Sequence, residues 1–435
     1  MTNMTLGGCA ALALALALAA GGPAAAETAS PAATKTVKSI LASRGYKAAV
    51  AAMDADHDRW ISEIIKITEI PAPPFKEAVR AKAYLEMLRA EGLTDLEMDP
   101  EGNVMGVRKG TVGGGPVVVV SAHLDTVFPE GVSTKVRREG DKLYAPGVGD
   151  DSTGLATLLS IVRAMNAGGL KTKSDIVFMG DVGEEGLSDL RGVRYFFTKG
   201  KYKDNTKAFF SLDGGGVNDI ATGGTGSKRY RVTFKGPGGH SFGAFGIVNP
   251  MAAMSKAVAD FYQTQVPTDP KTTYSASVTG GGTSVNAIPS EVWMEFDMRS
   301  NDAGELAKVE KSLMASIAGA VDYENAARST KEGKVTFEAK MVGDRPVGRT
   351  DPKTDLVQFA TAAFGSNGGT VEYRIGSTDS NIPMSLGIPA ITTPRVAENG
   401  RGHSVSEWVD VTKAPNLWVK SANLVTIVAI AGPAN

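Results

Sequence analysis

The fold is decided by the stretch Val117-Val118-Val119-Val120-Ser121-Ala122-His123-Leu124-Asp125-Thr126-Val127. Four consecutive valines predict a fully buried strand of a parallel sheet. Since side chains alternate along a strand, His123 and Asp125 point to the same side at its end. This spacing suits a metal-ligating imidazole whose tautomer is fixed by a carboxylate, although a purely structural histidine explains it equally well.

The composition is that of a globular protein of about two domains, because 435 residues exceed one ordinary domain. The formal net charge of −1 gives no reason to expect nucleic acid or an anionic membrane as a partner. Cys9 is the single cysteine, which excludes a disulfide framework and a thiolate metal site. With only 4 histidines in the chain, any metal centre must rely on carboxylates.

Residues 1–26 predict a signal peptide. Residues 9–20 are almost pure Ala and Leu, and Ala24-Ala25-Ala26 offers a small-residue cleavage site. The apolar run is shorter than the ~20 residues that a membrane span needs, and it follows Cys9 instead of preceding it, which argues against a lipoprotein. We therefore expect an exported protein, periplasmic or secreted.

The rest of the chain predicts two interleaved modules. Residues 48–224 and 344–435 alternate apolar strands with helices, which favours an α/β domain with a mostly parallel sheet. Between them, residues 225–343 predict the order strand-helix-strand-strand-helix-strand of a small α+β module. We expect residues 27–47, rich in Ala, Thr, Ser and Pro, to be a loose lead-in, and His57 to be a solvated surface histidine.

Polar residues follow apolar strands wherever these meet glycine-rich loops, and in open α/β sheets this edge forms the sites. The candidates are His123, Asp150, Glu184, Glu185, Asp213 and His403. Histidines and carboxylates without thiols suit zinc, or else cobalt or manganese. The adjacent glutamates could be a solvated acidic pair, but their place between Gly183 and Gly186 after a buried strand favours a divided role in metal binding and proton transfer.

Six short motifs that contain the candidate residues follow one another along the chain. They are His123-x-Asp125, Gly149-Asp150-Asp151, Glu184-Glu185-Gly186, Asp213, Gly238-Gly239-His240-Ser241 and Gly402-His403-Ser404. The set resembles the dinuclear zinc exopeptidase and amidohydrolase family of glutamate carboxypeptidase, tripeptide aminopeptidase, acetylornithine deacetylase and succinyl-diaminopimelate desuccinylase. The resemblance covers nearly all of the chain after residue 55. It implies a catalytic domain with an inserted, ferredoxin-like dimerisation lid.

The resemblance also implies a role for each motif residue of the catalytic domain. Asp150 matches the ligand that bridges two divalent ions. One ion would also bind His123 and Asp213, and the other would bind Glu185 and His403. Asp125 would orient His123, and Glu184 would be the general base.

In the lid, the resemblance implies substrate contacts. His240 would reach into the partner subunit's site and polarise the scissile carbonyl. Asn286 and Arg299 would hold substrate oxygens or a carboxylate, and the loop at Gly376 would flank the substrate. Without the family resemblance, we would interpret His240, in its glycine-rich turn, as a structural histidine. We would interpret Arg299 as one half of a surface ion pair.

We therefore predict a homodimeric, exported dinuclear zinc metallopeptidase that cleaves a terminal amide bond of short peptides. A metal-bridging water would be the nucleophile and Glu184 its base. N-acyl amino acid deacylation is the alternative, because the same residues could perform it. A non-catalytic binding protein on this fold would be expected to lose ligands or the base, and here all of them are present.

Overall fold

The computed structural model describes residues 27–434. The expected signal peptide and Cys9 lie outside the described residues. Within residues 27–434, none of the helices is long and apolar enough to cross a membrane.

The elements are numbered in chain order. The helices are α1 (Pro31–Ala42), α2 (Arg44–Ala55), α3 (His57–Thr68), α4 (Ala78–Ala90), α5 (Ser152–Ala167), α6 (Arg191–Thr198), α7 (Pro250–Phe261), α8 (Ala303–Ala327), α9 (Asp355–Phe364), α10 (Asn381–Ser385) and α11 (Lys413–Ala431). The strands are β1 (Thr94–Met98), β2 (Val104–Arg108), β3 (Val117–His123), β4 (Arg137–Glu139), β5 (Lys142–Tyr144), β6 (Lys171–Thr172), β7 (Ile176–Asp181), β8 (Thr206–Gly214), β9 (Asp219–Gly224), β10 (Gly226–Lys235), β11 (Gly239–His240), β12 (Thr272–Gly281), β13 (Ala287–Ile288), β14 (Glu291–Ser300), β15 (Thr336–Arg345), β16 (Gly348–Arg349), β17 (Glu372–Gly376), β18 (Ala390–Pro394), β19 (Glu398–Gly400), β20 (Trp408–Asp410) and β21 (Pro433–Ala434).

The main sheet has the strand order β1-β2-β7-β3-β8-β18-β9-β16, and β17 also pairs with β9. Its central strands β7, β3, β8 and β18 are parallel, whereas strands at both margins add antiparallel pairs. The valine strand β3 is buried along its whole length. Val118 and Val120 pack into a core with α5 and α11, and Val117 and Val119 pack into a second core with α6. This confirms the mixed α/β fold that the unbroken apolar run predicts.

A small module, residues 226–345, is inserted between β9 and β16. Its antiparallel sheet has the order β12-β14-β10-β15, and α7 and α8 cover one face. It has its own apolar core, which includes Phe234, Phe261, Phe296 and Leu313. The elements follow the order expected from the sequence.

The N-terminal lead-in is helical, so our expectation of a loose segment is wrong. Ser30 caps α1 by accepting a hydrogen bond from the Ala33 amide at 3.2 Å, with Pro31 in the first turn. Val37 and Ile40 bury the inner face of α1 against the main core. His57 is also not solvated: it begins α3, is only 9% exposed, and its ring lies 5.6 Å from that of Trp60.

Candidate metal centre

The candidate ligands meet at the carboxyl edge of the central parallel strands. His123 ends β3, Asp150 precedes α5, Glu184 and Glu185 follow β7, and Asp213 lies near the end of β8. His403, in the loop between β19 and β20, completes the group. The sheet topology thus places residues that are 280 positions apart in one small volume, as His123 and His403 both contact Asp150.

The start of α5 is built to sit close against β8. Asp151 caps the helix, its carboxylate accepting from the Gly154 amide at 3.1 Å. A Cβ at Gly154 would lie 2.2 Å from the Asp151 carboxylate and 2.3 Å from the Leu212 carbonyl oxygen. Only glycine permits this approach, which fixes the Asp150 loop beside the end of β8.

Asp150 lies between the two histidines. Its Oδ1 is 2.9 Å from Nε2 of His123, and its Oδ2 is 3.2 Å from Nε2 of His403. The same His403 nitrogen is 3.0 Å from Oε1 of Glu185, and the His123 nitrogen is 3.9 Å from Oδ1 of Asp213. Two adjacent groups of nitrogen and oxygen donors therefore share one carboxylate.

These donors fit divalent cations. Ligand atoms of His123, Asp150 and Glu185 lie within 4.8 Å of one another, as do those of His123, Asp151 and Asp213. Imidazole nitrogen and carboxylate oxygen are donors that zinc, cobalt and manganese accept.

Asp125 acts through two different groups. Its main-chain oxygen is 3.0 Å from Nδ1 of His123, whereas its carboxylate is 3.6 Å away. The carboxylate instead accepts hydrogen bonds from the amides of Glu184 and Glu185, at 3.0 and 2.8 Å. That Asp125 orients His123 stays a prediction; its carbonyl takes the nearer position, and its carboxylate holds the glutamate loop in place.

Burial shifts the ionisation of this cluster. It raises the pKa of Glu184 to about 8, opposed by the nearby Arg345 and reinforced by Glu185. It also raises the pKa of Asp213 to about 7, with Arg395 opposing. At His123 burial disfavours the charged form, but hydrogen bonds to Asp125 and Asp150 raise its pKa well above 6.5. Carboxylates so crowded and dehydrated favour a bound cation.

Two buried arginines at the centre, Arg345 and Arg395, were not identified from the sequence. Nη1 of Arg345 is 3.1 Å from Oε1 of Glu184 and 3.1 Å from the hydroxyl of Ser377, so the last strand of the small module contacts both the glutamate loop and the loop after Gly376. Arg395 contacts the carboxylate of Asp213. Arg395 follows β18 and Arg345 ends β15, so a position at a strand end was the available signal, but it does not show which acidic group each arginine meets.

Glu407 was also missed. Its carboxylate accepts hydrogen bonds from the amides of Gly147, Gly149 and Asp150, at 3.0, 2.7 and 2.8 Å. These three contacts fix the loop that carries Asp150. Its spacing of four residues after His403 was the available signal.

The lid candidates His240 and Asn286 are not brought to this centre. Both are exposed and lie at the β11–β13 pairing. Nδ1 of His240 accepts from the amides of Phe242 and Gly243, both at 3.2 Å, which leaves the proton on the outward Nε2. His240 follows the far end of β10, a strand of ten residues that is about 33 Å long and whose first residue, Gly226, comes directly after the main-sheet strand β9 and Thr225.

Arg299 lies at the near end of the small module. Its Nε donates to Oδ2 of Asp297 at 2.7 Å, and the other oxygen of Asp297 accepts from Arg229 at 2.9 Å. Arg229 in turn donates to the carbonyl of Gly186 at 3.0 Å. Arg299 thus forms the surface ion pair that we expect for it without the family resemblance. Through Asp297 and Arg229 it is also linked to the Glu184–Glu185 loop. Gly376 ends β17, where its carbonyl accepts from the Thr225 amide at 2.5 Å.

Comparison with known proteins gives one consistent result. The family model described as peptidase family M20/M25/M40 matches residues 119–425. Carboxypeptidase G2 of Pseudomonas sp. (strain RS-16) is 25% identical over 333 residues, covering 74% of this chain and 76% of that protein.

Solved structures share the fold. The aminopeptidase PepT of Bacillus cereus superposes with a TM-score of 0.67 at 20% identity, over 86% of this chain and 98% of that one. The YXEP protein of Bacillus subtilis, described as a dinuclear metal-binding peptidase, gives 0.62 at 17% identity, over 86% and 98%.

Proposed function

The chain belongs to peptidase family M20/M25/M40, and from this premise we propose that it is a metallo-exopeptidase that removes a terminal residue from short peptides. Membership makes it a hydrolase acting on peptide or amide bonds. The observation that carries the proposal is the position of Asp150 between His123 and His403, with Glu185 and Asp213 on either side.

Two divalent ions held there, zinc in our proposal, would supply Lewis-acid polarisation of the amide carbonyl and a water of lowered pKa. The remaining steps belong to the side chains of this chain. Glu184, buried beside the donors and held by Arg345, accepts the proton of the attacking water and passes it to the leaving amine. Asp125 keeps Glu184 and Glu185 in place through their amides.

We propose further that the active unit is a homodimer. The imidazole of His240, with its Nε2–H facing outward, is suited to donate a hydrogen bond to a developing oxyanion. Its contacts within the described residues all lie in the small module, and none of them is to a residue of the candidate metal centre. A partner subunit's centre is therefore the one that His240 and Asn286 would serve.

Export is part of the proposal as well, on the strength of residues 1–26. Sequencing the N-terminus of the protein recovered from the periplasm or medium tests it. A mature chain that begins at Glu27 is the expected result, and a protein retained in the cytoplasm with Met1 or Thr2 at its start contradicts it.

The activity is tested with metal-depleted protein reloaded with Zn²⁺ or Co²⁺. Di- and tripeptides, blocked at either terminus or free, are compared with N-acyl amino acids. Faster cleavage of free peptides supports the exopeptidase, and the blocked series shows which terminus is trimmed. Faster cleavage of N-acyl amino acids would move the assignment to the deacylase alternative.

A further inference from the structure

Arg395 places a permanent positive charge inside the candidate metal centre. Its side chain is only 7% exposed, and its Nη1 donates to both the carboxylate and the main-chain oxygen of Asp213. The same nitrogen is 3.6 Å from Oδ1 of Asp150, and Nε is 3.7 Å from Oδ1 of Asp151. A guanidinium stays charged at every accessible pH, so this charge cannot be relieved by losing a proton.

Arg395 contacts only one half of the candidate metal centre. Oδ1 of Asp213, the atom that Arg395 holds, is also the atom 3.9 Å from Nε2 of His123. We call the donors His123, Asp213 and Oδ1 of Asp150 the inner position, and His403, Glu185 and Oδ2 of Asp150 the outer position. Among the described residues, no lysine or arginine nitrogen lies within 4.0 Å of the Glu185 carboxylate.

The backbone that carries the guanidinium is anchored in this place. The Arg395 amide donates to the Gly214 carbonyl at 2.9 Å, and its carbonyl accepts from the Thr157 hydroxyl at 3.0 Å. Thr157 lies on α5 and also accepts from the indole of Trp60 at 3.1 Å. These main-chain contacts do not depend on the side chain at position 395, so a substitution there removes the charge and leaves them in place.

We propose that Arg395 makes the two metal positions unequal, so that the outer position binds its ion tightly and the inner position exchanges its ion readily. The inference rests on the metal centre of the proposed function. An ion at the inner position must share Asp213 with a fixed cation, and a unit charge at this distance weakens binding by roughly 10²-fold. Arg395 is a positioning residue, because it acts through Asp213.

The test is a metal titration of the full-length metal-depleted protein with Zn²⁺, and with Co²⁺ as a spectroscopic probe. We expect the wild type to bind two ions in separate steps whose dissociation constants differ by about 10²-fold. In Arg395→Met the weaker step should tighten at least tenfold, whereas Arg395→Lys, which keeps the charge, should stay unequal. Glu185→Gln, which lacks an outer ligand, should retain the weak step alone.

Two equal steps in the wild type, or an unchanged weak step in a folded Arg395→Met protein, would overturn the inference. If Arg395→Met does not fold, two equal steps in the wild type or in Arg395→Lys would still overturn the inference. Peptide hydrolysis is measured on the same samples. Hydrolysis with two equal ions overturns only the role of Arg395, whereas absence of both metal uptake and hydrolysis overturns the proposed function itself.

Discussion

The metal centre and the far end of the small module differ in almost every physical respect. At the centre, His123 and Glu185 are buried and meet other polar groups from several elements within 4 Å. At the far end of the module, His240 and Asn286 are exposed, and their side-chain hydrogen bonds are to residues two or three positions away in sequence.

The difference separates the part of the candidate site that lies within one subunit from the part that our proposal assigns to a dimer. The buried ligands carry a desolvation cost that a bound cation offsets, so we expect the centre to form within its own chain. Among residues 27–434, the ring of His240 hydrogen-bonds only to two amides of its own turn. The predictions below test whether the centre is autonomous and whether the module depends on a second copy.

Removing the metal should have the largest effect, with hydrolysis falling to background after chelation and returning on addition of divalent ions. Asp150→Asn should lose both ions, because the two oxygens of Asp150 face different histidines, whereas His403→Ala should lose one. Metal content per chain is measured by mass spectrometry. His240→Ala is the control and should keep its full content; an active metal-free enzyme would refute the mechanism.

Glu184→Gln should lower kcat by roughly 10²–10⁴-fold, since that is the usual contribution of a general base. The metal content should not change, because the outer donors remain. Glu185→Gln is the matched control one residue away and should lose metal. If Glu185→Gln kept its metal and was inactive while Glu184→Gln worked normally, the two roles would be reversed.

His240→Ala should lower kcat by about 10²-fold, the usual loss when one oxyanion donor is removed. Mixing it with Glu184→Gln under subunit exchange provides the sharper test. A mixed dimer has one site with both defects and one with neither, so activity should rise toward about a quarter of wild type. Background activity despite demonstrated exchange would mean that His240 does not serve a partner.

The metal donors were predictable because each of them follows an apolar strand or lies beside a glycine-rich turn. His123 and Asp213 lie at the ends of β3 and β8, two apolar strands that the hydrophobic pattern predicts, although that pattern does not show their register. The lead-in was misread because its Ala, Thr and Ser content resembles a linker, although Ser30 and Pro31 form a helix-start signal.

Local sequence pattern could not show which acidic groups the two buried arginines meet. Arg345 meets Glu184 across 161 residues, and Arg395 meets Asp213 across 182. No periodicity connects positions so distant, and only the closed fold shows which strand end faces which. Nδ1 of His123 lies nearer to the carbonyl of Asp125 than to its carboxylate, and the two distances differ by only a few tenths of an ångström. Sequence cannot specify so small a difference.

The smallest effect is expected at the near end of the small module, where Arg299 can be compared with Arg231. The two arginines are comparably exposed, at 45% and 44%, and each pairs with an acidic residue of β14, although Arg231 also lies 4.1 Å from the ring of Trp293. Neither ion pair should contribute more than about 0.5 kcal/mol, so Arg299→Gln should unfold within that margin of the wild type; Arg231→Gln, which also loses the contact with Trp293, should unfold within about 1.5 kcal/mol.

Their positions along the sheet separate them. Arg299 pairs in register with Ser227 near the start of β10, beside the contact of Arg229 with Gly186, whereas Arg231 lies four residues further along, about 13 Å away. Arg299→Gln should therefore raise KM about tenfold for peptides with a free carboxylate, leave kcat unchanged and have no effect on amidated peptides, since one charge-assisted hydrogen bond is lost. Arg231→Gln should change neither constant. Equal changes in both variants would indicate a general effect of surface charge, and no change in either would leave Arg299 with only its structural ion pair.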